Sequence, residues 1–355
     1  FYEGALSAVE QGLLQPGDFD AAVARILTLK FELGLFEDPR RPSLERIEAV
    51  VGNETHRLLN LEVARKSLVL LANDGVLPLL TSTGDGTATV AEGGRTQATA
   101  PSAGTLTASA TAPRTVAVVG PLANDAQTQL GDWAGNSGQA DWMPAGHLRE
   151  MITTVLDGIR ATVPMDWTVT NARGADILTL EPDPEGAFFP DGQPRSPIVV
   201  PAAPDEGLIA EAVAAAAGAD VVVAVVGDRI ELVGEACSTA TLDLVGGQIA
   251  LLDALAATGT PMVVILLASK PLVLPPSARD AAAIVWVANP GMEGGTAIAE
   301  LLLGEIEPVG RLPISFAEHV GQQPTYYNQI RGQHGNRYAD LTQRTAFAFG
   351  EGLSY

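Results

Sequence analysis

The hydrophobic rhythm of the chain changes along its length. Near the start, Ala21, Ala22, Ile26, Leu27 and Leu29 recur at helical spacing, so residues 1–36 read as helical, with Asp18 or Asp20 as an N-cap. EDPRRPS ends that pattern, because proline cannot continue a helix. A second amphipathic helix is expected over 53–66, followed by a strand-type run, SLVLLAN (67–73), and a turn in DGVLPLL. From residue 115 onward, continuous apolar runs alternate with helical patterns. TVAVVGP (115–121), WTVTNAR (167–173), DVVVAVVGD (220–228), PMVVILLAS (261–269) and AAAIVWVANPG (281–291) read as strands. Residues 147–163, 205–219, 246–259 and 295–306 read as helices, and 175–204, rich in Pro, Asp and Gly, as a long loop. Strands that are apolar on both faces and separated by helices imply a mostly parallel sheet covered on both sides, an αβα sandwich of the α/β class with right-handed connections. In such sheets ligands bind outside the carboxyl ends of the strands.

Residues 81–114 break the pattern. They are Thr, Ala, Gly and Ser with almost no large apolar side chains, too little to offset ordering entropy, and are expected to form a flexible insertion. Elsewhere apolar content is ample: 46% of the 355 residues are hydrophobic, enough for a sizeable core. Against 42 Asp and Glu stand only 21 Lys and Arg, and a net charge of −21 argues against nucleic acid or an anionic membrane surface as partner. The longest apolar runs, about ten residues, are too short to span a bilayer. A single cysteine excludes an internal disulfide and a zinc site built from several cysteines. The opening FYEGALSAVEQG holds no initiator Met and no targeting signal, and the chain ends on AFAFGEGLSY; both ends read as cuts. A fragment of a longer protein is therefore expected, with its compartment and oligomeric state left open.

Several motifs are absent. No GxGxxG follows a strand, and no Walker loop, GxSxG elbow or HExxH occurs, which weakens nucleotide-binding, esterase and metalloprotease readings. Three loops at strand ends carry polar chemistry instead. The first, 120–138, holds Asn124, Asp125, Asp132 and Trp133. The second is VVGDRIELVGEACS (225–238), with Asp228, Glu231 and Glu235. The third, ANPGMEGG (288–295), holds Asn289 and Glu293. A Trp beside acids and Asn suits a sugar, whose apolar ring face stacks on the indole while its hydroxyls meet the polar groups. A half-buried surface aromatic and a solvated acidic loop are the competing readings.

Long segments resemble glycoside hydrolase family 3, the β-glucosidase and β-xylosidase family. AVARILTLKFELGLFEDP is similar to the end of that family's TIM-like barrel, and ARKSLVLLANDGVLPL (64–79) to the entry into its second domain. VAVVGPLAND and GDW resemble an early strand and loop of that domain, and PGMEGGTAIAELLLGEIEPVGRLPISF (290–316) a long family signature. Residues 319–355 resemble the lead into a fibronectin type III-like domain. The resemblance implies three parts: the C-terminal end of a truncated barrel and a linker (1–45), the αβα sandwich (46–317), and an active-site-proximal loop with lead-in (318–355).

The resemblance also implies a retaining exo-β-glycosidase, most readily a β-glucosidase, with an Asp nucleophile on a barrel outside this chain. By position Glu235 matches the family's general acid/base, with Glu231 its nearest rival. The run after Glu235, STATLDLVGGQ, departs from the family pattern in lacking both an arginine and a proline. A general acid must be protonated near neutral pH, so its pKa must stand above about 4.3, and burial beside Val233 with Asp228 and Glu231 nearby would act in that direction. Trp133, Asp132, Asp228, His334 and Arg337 are assigned to substrate binding, the last two against the alternative of an exposed loop. Cys237 is expected to be a small packing residue. The implied partner is an oligosaccharide or glycoside, with no metal or organic cofactor. A β-xylosidase or α-L-arabinosidase, or a non-catalytic carbohydrate-binding domain, are the alternatives.

Overall fold

In a computed structural model of the chain, residues 2–80, 114–132, 134, 146–234, 237, 239–328, 337–338, 341–342 and 344–355 are described, with backbone alone at 337–338 and 341–342. The expected insertion thus lies outside the described residues except for Arg114, which donates to Leu79 O (2.9 Å) and stacks over Trp167. The chain divides into two compact units, 1–56 and 57–355.

The first unit holds helices α1 (Tyr2–Glu10), α2 (Pro16–Glu32) and α3 (Leu44–Val50), none with a buried residue. Helix α2 starts one turn earlier than an Asp18 or Asp20 cap would place it. Pro16, with its missing N–H, opens the helix, Gln15 is the N-cap, and Asp18 at the third position accepts from Gln15 N (2.9 Å). Ser43 caps α3 by accepting from Arg46 N. Helix α4 (Glu54–Ser67) begins at the end of this unit and leads into the second.

The second unit is built on a six-stranded sheet. Its strands are β1 (Val69–Asn73), β2 (Thr115–Val119), β3 (Thr168–Ala172), β6 (Val221–Gly227), β7 (Met262–Leu267) and β8 (Ala283–Trp286). The order is β1-β8-β7-β6-β2-β3; every pair is parallel except the edge pair β1–β8. Alternation on β6 shows why the run is apolar throughout. Val221, Val223 and Val225 face one core with α5 (Val155–Thr162) and α9 (Gly294–Leu303). Val222, Ala224 and Val226 face a second core with α6 (Glu206–Ala217) and α7 (Gln248–Ala256). Each fully buried Val or Leu contributes about 1.5–3 kcal/mol, so the strands hold both helical layers to the sheet. The αβα sandwich with a mostly parallel sheet is therefore the fold of this unit.

Two elements differ from the sequence reading. The helix expected over 147–163 begins only at Val155, because Thr154 caps it: Thr154 Oγ1 accepts from Asp157 N, and Asp157 Oδ2 accepts from Thr154 N. The long loop 175–204 contains an antiparallel ribbon, β4 (Leu178–Glu181) with β5 (Ile198–Pro201), two short and mostly exposed strands whose few apolar residues lie among Pro, Asp and Gly. The remaining elements are a short helix α8 (Pro276–Arg279), strand β9 (Phe316–Ala317), the two-residue pair β10 (Arg337–Tyr338) and β11 (Leu341–Thr342), and β12 (Thr345–Phe347) against β9. Phe316 packs edge-on between Trp286 and Phe347, and Leu353 N donates to Leu70 O (2.7 Å), tying the C-terminal stretch to the sandwich.

Candidate active-site loops at the sheet switch point

Strand β2 leads to β3 on one side, and β6 then returns on the other side of β2, with β7 and β8 continuing outward. The strand order reverses between β2 and β6, the point in such sheets where loops diverge and leave a crevice. Both loops that leave there were singled out for their acids. The close approach of the strands is set by Gly120 at the end of β2, whose φ of +115° and overlap of any Cβ with Val225 O admit no other residue without strain. At the end of β6, Gln248 clamps Gly227: its Oε1 accepts from Gly227 N (2.8 Å) and its Nε2 donates to Gly227 O (2.9 Å).

Asp228, the first residue past β6, is 2% exposed. Burial pushes its carboxyl above the ordinary aspartate value, and Lys270 pulls against that shift. Lys270 Nζ lies 3.4 Å from Oδ2, a charge contact, since neither carboxylate oxygen accepts a well-aligned hydrogen bond. The same ammonium donates to Leu232 O (3.1 Å) and Thr239 Oγ1 (3.0 Å). Glu231 sits in a 3₁₀ turn, Ile230–Leu232, and both its oxygens are taken by one guanidinium: Arg229 Nε donates to Oε2 (3.0 Å) and Nη2 to Oε1. Asp132, on the β2 loop, lies directly against Gly234 on the β6 loop. Half-buried Cys237 belongs to the same cluster: burial first, then the charges of Asp132 and Glu231, push its thiol above its ordinary value.

Of the other residues expected at the site, Glu235, Trp133 and His334 lie outside the described residues, and Arg337 is described only as backbone, paired with Thr342. The structure thus brings Asp132, Asp228 and Glu231 together around one loop. The remaining polar residues of the three loops serve the scaffold. Asp125 accepts from Gln127 N and Thr128 N, and Asn124 Oδ1 accepts from Arg149 and Thr154. Asn289 donates to Thr128 O, and Glu293 is ion-paired with Arg57. Lys270, Arg229 and Gln248 escaped the sequence reading. The sequence shows only that Lys270 follows an apolar strand run; that this strand, β7, lies next to β6, so that the side chain starts at the same edge, is seen in the sheet alone.

A crevice of about 350 Å³ opens at the same edge beside β2 and β3, lined among others by Asn124, Asn171, Arg173 and Arg229. Among the described residues no group of three or more His, Cys, Asp or Glu could hold a metal ion, and no helix is long and apolar enough to cross a membrane.

Known proteins are similar to this chain in sequence and fold. The chain is 33% identical to a periplasmic β-glucosidase of Salmonella typhimurium over 98% of its own length and 41% of that protein's. It is 31% identical to a β-xylosidase of Formosa agariphila, over 95% of the chain and 39% of that protein. Among solved structures, a β-glucosidase involved in saponin metabolism from intestinal bacteria superposes with a TM-score of 0.85 at 54% identity, covering 100% of the chain and 45% of that protein. The β-glucosidase of Listeria innocua, solved with glucose, gives 0.70 at 26% identity, covering 99% and 40%. The chain spans about two fifths of the length of the curated relatives it matches. Residues 68–355, which contain the whole sheet and both switch-point loops, match the glycosyl hydrolase family 3 C-terminal domain, and the chain belongs to that family.

Proposed function

We propose that this chain is the second-domain part of a retaining exo-β-glycosidase, a β-glucosidase removing terminal β-D-glucosyl residues, and that Glu235 is its general acid/base. The observation that carries the reading is the meeting of the 120–132 and 228–234 loops at the sheet switch point, Asp132 against Gly234 one residue before Glu235. In the first step Glu235 gives its proton to the glycosidic oxygen as an Asp on the barrel attacks C1 and the leaving group departs. In the second, the Glu235 carboxylate takes a proton from water as that water displaces the Asp, and the configuration at C1 is retained. The two carboxyl groups must then stand about 5–5.5 Å apart in the assembled enzyme.

The bidentate grip of Arg229 on Glu231 favours Glu235 over its rival. Held by both oxygens in one guanidinium fork, Glu231 would have to break that pair to turn toward a substrate. Trp133, Asp132, His334 and Arg337 are proposed to contact the sugar, whereas Asp228, buried under Lys270, acts on the shape of the loop.

The test uses the complete enzyme that carries this chain. Glu235→Gln should slow substrates with leaving groups of high pKa by about 10²–10⁴-fold while sparing activated aryl glycosides, with azide partly restoring the rate. If Glu231→Gln behaves this way and Glu235→Gln does not, the assignment is wrong. If neither does, the loop is not catalytic and the carbohydrate-binding reading replaces it. Residues 1–355 alone should not hydrolyse an aryl β-glucoside, because the nucleophile is assigned to the barrel. The similarity to the Formosa agariphila β-xylosidase supports a second specificity, and comparing kcat/KM on matched aryl β-glucoside and β-xyloside decides between them.

A further inference from the structure

The chain leaves β6 at Asp228, and α7 begins at Gln248. Within 228–245 the only cation is Arg229, and it is spent on Glu231. The half of the loop that returns after Glu235, STATLDLV, contains no basic residue. That half is instead threaded along the segment that follows β7: Val273 N donates to Leu242 O (2.8 Å), and Asp243 forms a parallel bridge with Val273. From this segment Lys270 reaches across the loop. Its ammonium donates to Leu232 O in the loop's 3₁₀ turn (3.1 Å) and to Thr239 Oγ1 on its return (3.0 Å), and its charge faces Asp228 Oδ2 at the loop's start (3.4 Å). Both flanks of Glu235 are thereby fixed to one point.

We propose that Lys270 is the positioning residue for the acid/base Glu235, tying Leu232 and Thr239, which flank it in sequence, to the start of the loop at Asp228, in the role of a cation that the loop's returning half lacks. The inference rests on the reading that Glu235 is the acid/base. A strand-end ammonium is suited to this role. It gathers a buried carboxylate, a carbonyl and a hydroxyl of different directions, which a planar guanidinium fork fits less readily, and its own anchor is the rigid β7.

The experiment measures kcat and KM of the complete enzyme on an activated aryl glycoside and on an unactivated disaccharide. A misplaced proton donor matters only where the leaving group needs a proton. Lys270→Met should therefore lower kcat on the disaccharide on the order of tenfold or more beyond any loss on the activated substrate, with KM little changed. Lys270→Arg, which keeps the charge but not the ammonium's geometry, should recover only part of that selective loss. Thr239→Val, which deletes one of the three contacts at a half-buried site without changing side-chain volume, should show the same selectivity in milder form and serves if Lys270→Met does not fold. Equal losses on both substrates, or none, in a folded Lys270→Met or Thr239→Val variant would overturn the proposal. Glu235→Gln run alongside separates the two claims. If it too is indifferent to the leaving group, the acid/base reading fails. If it discriminates and the Lys270 and Thr239 variants do not, only the positioning role fails.

Discussion

Gly234 and Asp132 come from different strand-end loops yet share one volume: a methyl group on Gly234 would overlap the Asp132 carboxylate. Gly234 also has φ +90°, a backbone that L side chains rarely adopt. The contact joins the β2 and β6 loops, so its disruption should act on the loops and leave the sheet intact. Gly234→Ala is expected to cost about 1–3 kcal/mol of local strain. Activity on unactivated glycosides should fall while the thermal midpoint moves by only a few degrees. A variant as active as the parent would mean that the two loops do not need to meet.

Gln248 offers a prediction about the scaffold beneath. It is fully buried, exchanges hydrogen bonds with both backbone groups of Gly227, and donates a third to Val245 O (2.8 Å). Gln248→Leu keeps the volume but strands a buried N–H and two carbonyls. The expected loss is about 3 kcal/mol, read as a lower midpoint in chemical denaturation with an unchanged slope. Gln248→Glu should be worse, since it removes the donor and adds a charge at a buried site where Gln248 meets only backbone groups among the described residues.

What could be read from the sequence follows the same physics. The strand Val221–Gly227 was legible because both its faces are buried, which forces an uninterrupted apolar run; the same holds for Met262–Leu267. The ribbon of β4 and β5 was not, because its two four-residue strands are mostly exposed and their apolar residues, such as Leu178, Leu180 and Ile198–Val200, are too few to stand out in a Pro- and Gly-rich stretch. Helix α5 was legible in period but not in start, since Thr154 is apolar enough in pattern to pass for helix and only its hydrogen bonds with Asp157 reveal a cap. At the loops, the acids stood out as composition, whereas their partners did not. Arg229 reaches Glu231 only because its backbone is extended ahead of the 3₁₀ turn, and Lys270 reaches Leu232 across 38 residues of chain. Long-range cations of that kind are set by strand adjacency, which a single sequence does not display.

The buried pair of Asp228 and Lys270 carries the last prediction, a dependence of stability on pH. Burial raises the Asp228 carboxyl above its ordinary value near 3.8, and the Lys270 charge only partly offsets that. The folded state therefore binds this proton more tightly than the unfolded chain does. Between the unfolded and folded values, folding takes up a proton, and stability from this group is greatest below the unfolded value and declines as pH rises through the folded one. Asp228→Asn removes the titration while keeping the shape. Relative to the parent, the variant should gain stability progressively as pH rises above the ordinary aspartate value near 3.8, measured as the difference in denaturation midpoints at each pH. A difference that stays level across that range would show that Lys270 compensates the buried charge in full. A difference that runs the other way would mean that the ion pair outweighs burial, with Asp228 held below its ordinary value.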